Sequence, residues 1–184
     1  MDASRALAGV RLKIARADRH LEELDAVIDD YFDSSGMHLE GRYDSAASDW
    51  VVTLRIPRDV PAEVATVVGD AAHNLRSALD QLVWALARLE VDEPERTQFP
   101  IFKASDEFAR FGTRMLSGVA ADASAFIERL QPYHVSDVYT DPLFILSRLS
   151  NIDKHRHVHL AQTSLSGASF ASRTSRAAPS AASR

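Results

Sequence analysis

The stretch LAGVRLKIARADRHLEELDAVIDDY, residues 7–31, decides the fold class of this chain. Its apolar residues recur at alternating steps of three and four, which places their side chains on one face of an α-helix. The residues with this spacing are Leu7, Val10, Ile14, Ala17, Leu21, Leu24, Ile28 and Tyr31. Charged residues fill most other positions, and Gly36 is suited to a left-handed helix end. The pattern predicts a helix roughly 40–45 Å long.

A second long helix is predicted from RDVPAEVATVVGDAAHNLRSALDQLVWALARLE, residues 58–90. Asp59 suits its N-cap, and Pro61 suits its first turn. The apolar residues with helical spacing are Val64, Val68, Ala71, Leu75, Ala78, Leu82, Ala85 and Leu89. Between the two helices, MHLEGRYD and DWVVTLRIP predict a β-hairpin over about 37–57. Two strands alone are marginally stable, so we expect the hairpin to lie on the helices or to gain a third strand.

The rest of the chain predicts shorter helices. ASDEFARFGTRMLSG and ADASAFIERLQPY indicate two, with Ser105 as a cap and Pro132 as an end, and a third begins at Asp141–Pro142. VHLAQTSL, residues 158–165, suits a strand, and the Ala/Ser/Arg-rich sequence that follows predicts a disordered tail over 165–184. We therefore predict a mainly α domain over 1–164, an antiparallel helical bundle with two long helices, two or three shorter ones and a small β-hairpin.

Composition restricts the class of protein. The 184 residues contain 46% apolar and 26% charged residues, which is typical of a globular chain. We expect neither a membrane span nor a signal peptide, and the lack of cysteine excludes disulfides and thiolate metal sites. A net charge of −5 argues against a broad, charge-driven nucleic-acid binder. A cytoplasmic location is the expectation.

The first polar cluster is GDAAHNLRSALDQLVW on the second long helix, residues 69–84. At 100° per residue, His73, Ser77, Asp80 and Trp84 lie in one narrow band opposite the leucines. A tryptophan centred in this band indicates a second packed face, against another helix or a partner subunit, so we expect a homodimer. The stacked side chains are not arranged as a hydrolase triad. They form either a hydrogen-bonded helix face or a pocket shared with the second cluster.

The second cluster is LSRLSNIDKHRHVHLA, residues 146–161. In a strand, His155, His157 and His159 would point to one side and suit a borderline metal, although no complete ligand set is evident. In a helix, Arg148, Asn151 and His155 share one face. Arg148 could then stabilise a phosphorane-like charge, and His155, oriented by Asn151, could act as general acid or base in RNA cleavage. In a third interpretation, Arg148 pairs with acidic neighbours and the histidines finish the helix.

The segments GDAAHNLRSALDQLVW, TQFPIF and SNIDKHRHVH resemble those of a group of bacterial, largely actinobacterial proteins without an established activity. The resemblance spans roughly residues 5–160. The pattern also looks like that of the HEPN superfamily, α-helical bundles that often dimerise. Many members are metal-independent ribonucleases with an Arg, four to six residues and a His. Arg148 and His155 fit this loose motif, whereas Gln81 stands where a His would complete it for Arg76, and Leu149 replaces the usual polar residue.

Two functions follow as hypotheses. The first is a HEPN-like, non-catalytic binding or scaffold module, stabilised by a buried polar network whose expected members are His73, Asn74, Arg76, Asp80, Asp153, Lys154 and Arg156. The second is a HEPN-type endoribonuclease of toxin or phage-defence type, with Arg148, Asn151 and His155 as its catalytic residues and RNA as its partner. Neither requires a cofactor or a metal.

Overall fold

The computed structural model of the chain describes residues 6–155, with side chains as far as Ile152. The fold is mostly helical with one small two-stranded antiparallel sheet, as the sequence predicts. The described residues form two compact units, one of residues 6–31 and 60–155 and the other of residues 32–59. The expected strand within 158–165 and the expected tail from 165 lie outside the described residues.

Helix α1 spans Ala8–Ser34 and ends as predicted at Gly36, whose φ of +68° is readily adopted only by glycine. The Ser35 hydroxyl closes this end, since it donates to the Phe32 carbonyl and accepts from the Met37 amide, each at 3.2 Å.

The buried residues of α1 are not the whole apolar face that the sequence predicts. Val10, Ala17 and Tyr31 are buried as expected, and so is His20. Ile14 and Leu21, however, are 43% and 45% exposed, so the described part of the chain leaves these two residues of the predicted apolar face largely uncovered. The contacts of this helix with Gln81 and Asn74 are made by Gly9 and Lys13, which by helical spacing lie beside the line of Ile14 and Leu21 and not on it.

The hairpin consists of β1, His38–Asp44, and β2, Asp49–Arg55, which pair antiparallel from His38↔Arg55 to Asp44↔Asp49. Every residue of β2 is exposed, and the sheet has two strands among the described residues, so the expected third strand is not found there. Cross-strand contacts hold the pair together, including an edge-to-face contact of Tyr43 and Trp50 with ring centroids 5.7 Å apart.

A charged cluster lies at the open end of the hairpin. The Glu40 carboxylate accepts from Arg55 Nε at 3.1 Å and lies 3.2 Å from His38 Nε2, while His38 Nδ1 is 3.0 Å from the Gly36 carbonyl. The Gly36 carbonyl first, and Glu40 second, raise the pKa of His38. The guanidinium of Arg55, followed by His38, lowers the pKa of Glu40.

Helix α2 spans Ala62–Ala87 and runs antiparallel to the first turns of α1, with which it makes side-chain contacts. Its N-cap residue is Pro61, without a side-chain cap, so the expected Asp59 cap is wrong. Lys13 Nζ donates to Asn74 Oδ1 at 3.4 Å. Closer to the start of α1, a Cβ added to Gly9 would lie only 2.8 Å from Gln81 Oε1. The two contacts run in opposite directions along the helices, which fixes their antiparallel order.

Shorter helices complete the first unit. They are α3 Ser105–Glu107, a π-helical turn Phe108–Gly112, α4 Thr113–Met115, α5 Ala121–Arg129 and α6 Pro142–His155. Ala104, and not the expected Ser105, is the N-cap residue of α3. The predicted start of α6 is confirmed, because the Asp141 carboxylate accepts from the amides of Leu143 at 2.9 Å and Phe144 at 3.1 Å.

The hydrophobic core lies where α2, α5, α6 and the extended segment 98–102 meet. Its buried members are Val83, Phe99, Phe108, Leu116 and Ile127. Leu143 of α6 and Leu86 of α2 pack against this cluster, which holds the start of α6 beside the end of α2. None of the described helices has both the length and the apolar composition that crossing a bilayer demands.

Candidate functional site

A partly buried ion pair on α2 holds the segment 98–102. Arg76 and Asp80 are one helical turn apart, and Arg76 Nη2 donates to Asp80 Oδ1 at 2.9 Å and to the Phe99 carbonyl at 2.7 Å. The same carboxylate oxygen accepts from the Phe99 amide at 3.0 Å. Both backbone polar groups of Phe99 are therefore satisfied by α2 side chains, which a buried segment outside helix and sheet requires.

A second buried side chain, Gln131, completes the tethering of this segment. Gln131 is 1% exposed, and its Nε2 donates to the carbonyls of Pro100 at 2.9 Å and Ile127 at 3.1 Å. Its Oε1 accepts from the Phe102 amide at 3.0 Å. Gln131 is not predicted from the sequence, because a lone glutamine before a proline carries no signal of burial. The FPI segment was nevertheless conspicuous as an extended, Pro-bearing stretch in a helical chain.

An open cleft of about 140 Å³ lies between α2, the segment 98–102 and α6. Its polar walls are Arg76, Gln98, Ser147, Ser150 and Asn151, and its apolar walls are Phe99, Ile101, Phe102 and Met115. Residues from both polar clusters of the sequence thus line one cleft, and Arg76 provides the only full charge among these lining residues.

Arg76 retains donors that the described residues do not use. Its side chain is about nine-tenths buried, and both of its hydrogen bonds within the described chain are made by Nη2. The guanidinium has two further nitrogens with N–H donors, Nε and Nη1. Neither bonds to a described residue, although Arg76 lines the cleft.

Other members of the first cluster do not join this site. His73 is exposed and makes no hydrogen bond to the residues that the structure describes. Asn74 donates to the Asp70 carbonyl at 2.8 Å and accepts from Lys13, so it links α1 to α2. Trp84 is 46% exposed and stacks under Arg88, 5.6 Å from the guanidinium carbon, so within the described chain the expected packing of Trp84 on another helix is wrong.

The second cluster is divided between the cleft and the surface. Asn151 is exposed and lines the cleft, whereas Arg148 is exposed and does not line it. Arg148 makes no ion pair with any described residue, so no acidic neighbour in this part of the chain neutralises it.

The α6 backbone is helical through His155, seven residues after Arg148. The side chains of Asp153, Lys154 and His155 lie outside the description, as do Arg156, His157 and His159. No group of three His, Cys, Asp or Glu side chains suited to a metal occurs in the described part of the chain.

No family model, no curated protein and no solved structure matches this chain.

One titratable side chain next to the cleft wall has a displaced pKa. Tyr133 packs against the core, edge-to-face with Phe108 at a centroid distance of 6.3 Å. Burial raises the pKa of Tyr133, and the Glu128 carboxylate, 3.4 Å from its hydroxyl, raises it further. The phenol is therefore a neutral hydrogen-bond donor near neutral pH.

Proposed function

We propose that this protein is a non-catalytic, HEPN-like binding module of the cytoplasm, and that it acts as a homodimer. The observation that carries the proposal is the use of Arg76 and Asp80, both of which bond to Phe99 and to each other. Side chains that hold a buried backbone in place serve the fold, which favours a structural role for the polar network over a catalytic one.

The cleft beside this network is the proposed binding site. The free donors of Arg76, together with neutral hydroxyl and amide groups and an apolar wall, suit a small oxyanion attached to an apolar body. Carboxylate and phosphate groups share this chemistry. Because the cavity is smaller than the roughly 300–1,000 Å³ of pockets that enclose a whole drug-sized ligand, it fits one end of a larger molecule.

Two probes test the binding site, benzoate and inorganic phosphate, each titrated while the melting temperature is measured. A ligand that binds only the folded state raises this temperature with its concentration. In Ser147→Leu the added side chain fills the cleft and should abolish the rise, whereas Ser45→Leu, in the exposed hairpin turn, should leave it intact. No rise with either probe, or an equal rise in Ser147→Leu, contradicts the proposed ligand class. A rise with one probe alone identifies the oxyanion.

The second candidate is a metal-independent endoribonuclease that uses Arg148, Asn151 and His155. Arg148 supports it, since this exposed residue makes no ion pair with the described residues and lies seven positions before His155 on one helix. Total RNA incubated with the protein in excess EDTA separates the two functions. The binding module predicts no cleavage. Cleavage that is lost in Arg148→Ala and in His155→Ala, but kept in Arg110→Ala on the exposed part of another helix, establishes the nuclease and overturns the module.

A further inference from the structure

The side of α1 that the fold leaves open carries a regular apolar stripe. Leu7, Ile14, Leu21 and Ile28 recur every seven residues, and such a set drifts by only about 20° per repeat around a straight helix. The stripe runs beside Gly9 and Lys13, which contact α2, and beside the buried residues Val10 and Ala17. Ile14 and Leu21 are nearly half exposed, so the fold itself does not explain why these positions are apolar.

Helix α2 carries a matching stripe. Val68, Leu75, Leu82 and Leu89 also recur every seven residues. By helical spacing they lie between the residues that contact α1, Asn74 and Gln81, and the core residue Val83. Three of the four are half-buried, and Leu89, just beyond the end of α2, is 60% exposed.

The two stripes lie on the same side of the helix pair. The antiparallel helices contact each other through Gly9 and Lys13 of α1 and Gln81 and Asn74 of α2. Helical spacing places each stripe beside these contact residues, and both stripes then face the same side of the helix pair. An apolar cavity of about 120 Å³ joins them at one end, because Leu7 lines it together with Leu86 and Leu89. We call these eight residues, four from each stripe, the heptad face.

We propose that the heptad face binds the same face of a second copy of this chain, forming a four-helix bundle. This inference specifies the surface of the homodimer in the proposed function and does not depend on what the cleft binds. A seven-residue apolar repeat on both helices of an antiparallel pair is half of such a bundle, and the second copy supplies the other half.

The size of the heptad face fits this partner. Helices of 27 and 26 residues are about 40 Å long, and two packed side by side present a surface about 20 Å wide. The resulting area of about 800 Å² per copy is what a stable protein–protein interface buries on each side.

Charge selects the arrangement of the two copies. The outer flank of the α1 stripe carries one cation, Arg11, and four carboxylates, Asp18, Glu22, Asp25 and Asp29, so it is acidic. Placing α1 against the α1 of the second copy would bring the two acidic flanks together, which like-charge repulsion opposes. Placing α1 against the α2 of the second copy keeps them apart. Because Lys13 contacts Asn74, Ile14 of one copy then lies level with Leu75 of the other.

The Trp84 side, from which the sequence predicts dimerisation, is a weaker candidate. It lies on the opposite side of α2 from Leu75 and Leu82, and its helical neighbours His73 and Ser77 are polar. Arg88 already stacks on the Trp84 ring. An isolated aromatic ring among polar groups offers little of the continuous apolar area that an interface core needs.

Light scattering during size-exclusion chromatography tests the proposal, with helical content followed by circular dichroism. Wild type is expected at twice the 20.3 kDa chain mass. In the double variant Ile14→Glu with Leu21→Glu, the dimer should weaken by about 100-fold or more, because carboxylates buried against the apolar side chains of the second copy oppose association. Both side chains are nearly half exposed, so the helical signal should be retained.

Matched variants make the outcome specific to this surface. Leu12→Glu changes an α1 leucine that is 71% exposed on another side of the helix, and it should remain dimeric, as should Trp84→Glu. A monomeric wild type overturns both the homodimer and its surface. If the double variant remains dimeric, or if Trp84→Glu dissociates the dimer, the heptad face is not the interface. Either result leaves the proposed homodimer and the proposed binding site unaffected.

Discussion

Arg76 on α2 donates to the Phe99 carbonyl at 2.7 Å, a contact across 23 residues of sequence that fixes the extended segment 98–102 against the helix. Asp80 stabilises both partners of this contact, because its Oδ1 accepts hydrogen bonds from Arg76 and from the Phe99 amide. The segment forms one wall of the cleft, so its position determines the shape of the proposed binding site.

Removal of the Asp80 carboxylate should lower the stability of the fold. Asp80→Ala leaves the Phe99 amide without its acceptor and the Arg76 guanidinium without its counter-ion, so we expect a loss of about 1–3 kcal/mol. For a chain of this length, the melting temperature falls by roughly 2–4 °C per kcal/mol. Differential scanning calorimetry measures this shift.

The control for Asp80 is Asp70→Ala, an exposed carboxylate on the same helix. Its side chain makes no hydrogen bond to the described residues, so the melting temperature should change little. Equal shifts in the two variants would show that the Asp80 contacts add nothing to stability.

Replacement of Gln131 by an apolar residue of similar size should cost more. Gln131→Leu retains the packing volume but leaves the Phe102 amide and the Pro100 carbonyl unpaired in a buried region. At about 1–3 kcal/mol for each of these two groups, we expect a loss of roughly 2–6 kcal/mol, measured by urea unfolding. Gln98→Leu, an exposed glutamine at the cleft, is the matched control. A Gln131 variant as stable as this control would contradict the tethering role.

The elements that could be predicted from sequence are those set by local chemistry. Apolar residues spaced by three and four predict the two long helices, and Gly36 predicts the end of α1. Asp141 caps α6 through hydrogen bonds to amides two and three residues later. The Asp59 and Ser105 caps were wrong because an N-cap side chain competes with other arrangements of a short loop, and propensity does not decide between them.

The site was less predictable, because it depends on contacts between distant parts of the chain. The cluster on α2 was recognised from its residue types, but the partner of Arg76 and Asp80 is a backbone segment about 20 residues later, which no side-chain pattern identifies. Gln131 acts across 29 and 31 residues and had no local signal. Likewise, helical periodicity placed Ile14 and Leu21 on an apolar face without indicating whether the chain itself covers that face.

Gly112 should resist substitution, because the core approaches it closely. A Cβ at this position would lie 2.8 Å from Cδ2 of the Phe108 ring and 3.0 Å from its Cγ. The ring is buried and packs edge-to-face against Tyr133, so it has little room to move. Gly112→Ala should therefore lose about 1–3 kcal/mol of stability, together with part of the near-ultraviolet circular dichroism signal.

Gly41→Ala is the control for Gly112. Its added Cβ would make an ordinary contact of 3.8 Å with the Trp50 ring, on an exposed strand. We expect stability to stay the same or to increase, since alanine restricts the unfolded chain more than glycine does. A Gly112 variant with wild-type stability would mean that the Phe108 ring relaxes freely.

The charged cluster of the hairpin should make its stability depend on pH. The pKa of His38 is raised in the folded hairpin, so the protonated ring stabilises it fully below the unfolded value of about 6.5, and the stabilisation is lost as pH rises through the folded pKa. The pKa of Glu40 is lowered, so its contribution is present above its unfolded value of about 4.3 and is lost as pH falls through the folded pKa. The two contributions coexist at roughly pH 5–6, where the hairpin should be most ordered.

Imidazole resonances followed by NMR across pH 4–9 measure the His38 pKa directly. Glu40→Gln should lower it, since the carboxylate that favours the charged ring is removed. The decrease should be partial, because the bond to the Gly36 carbonyl contributes most to the raised pKa and remains in the variant. Asp49→Asn, at the turn end of the same hairpin, should leave the His38 pKa unchanged. A His38 titration that is identical in wild type and Glu40→Gln would show that the ring and the carboxylate do not interact in solution, and the predicted pH optimum of the hairpin would then disappear.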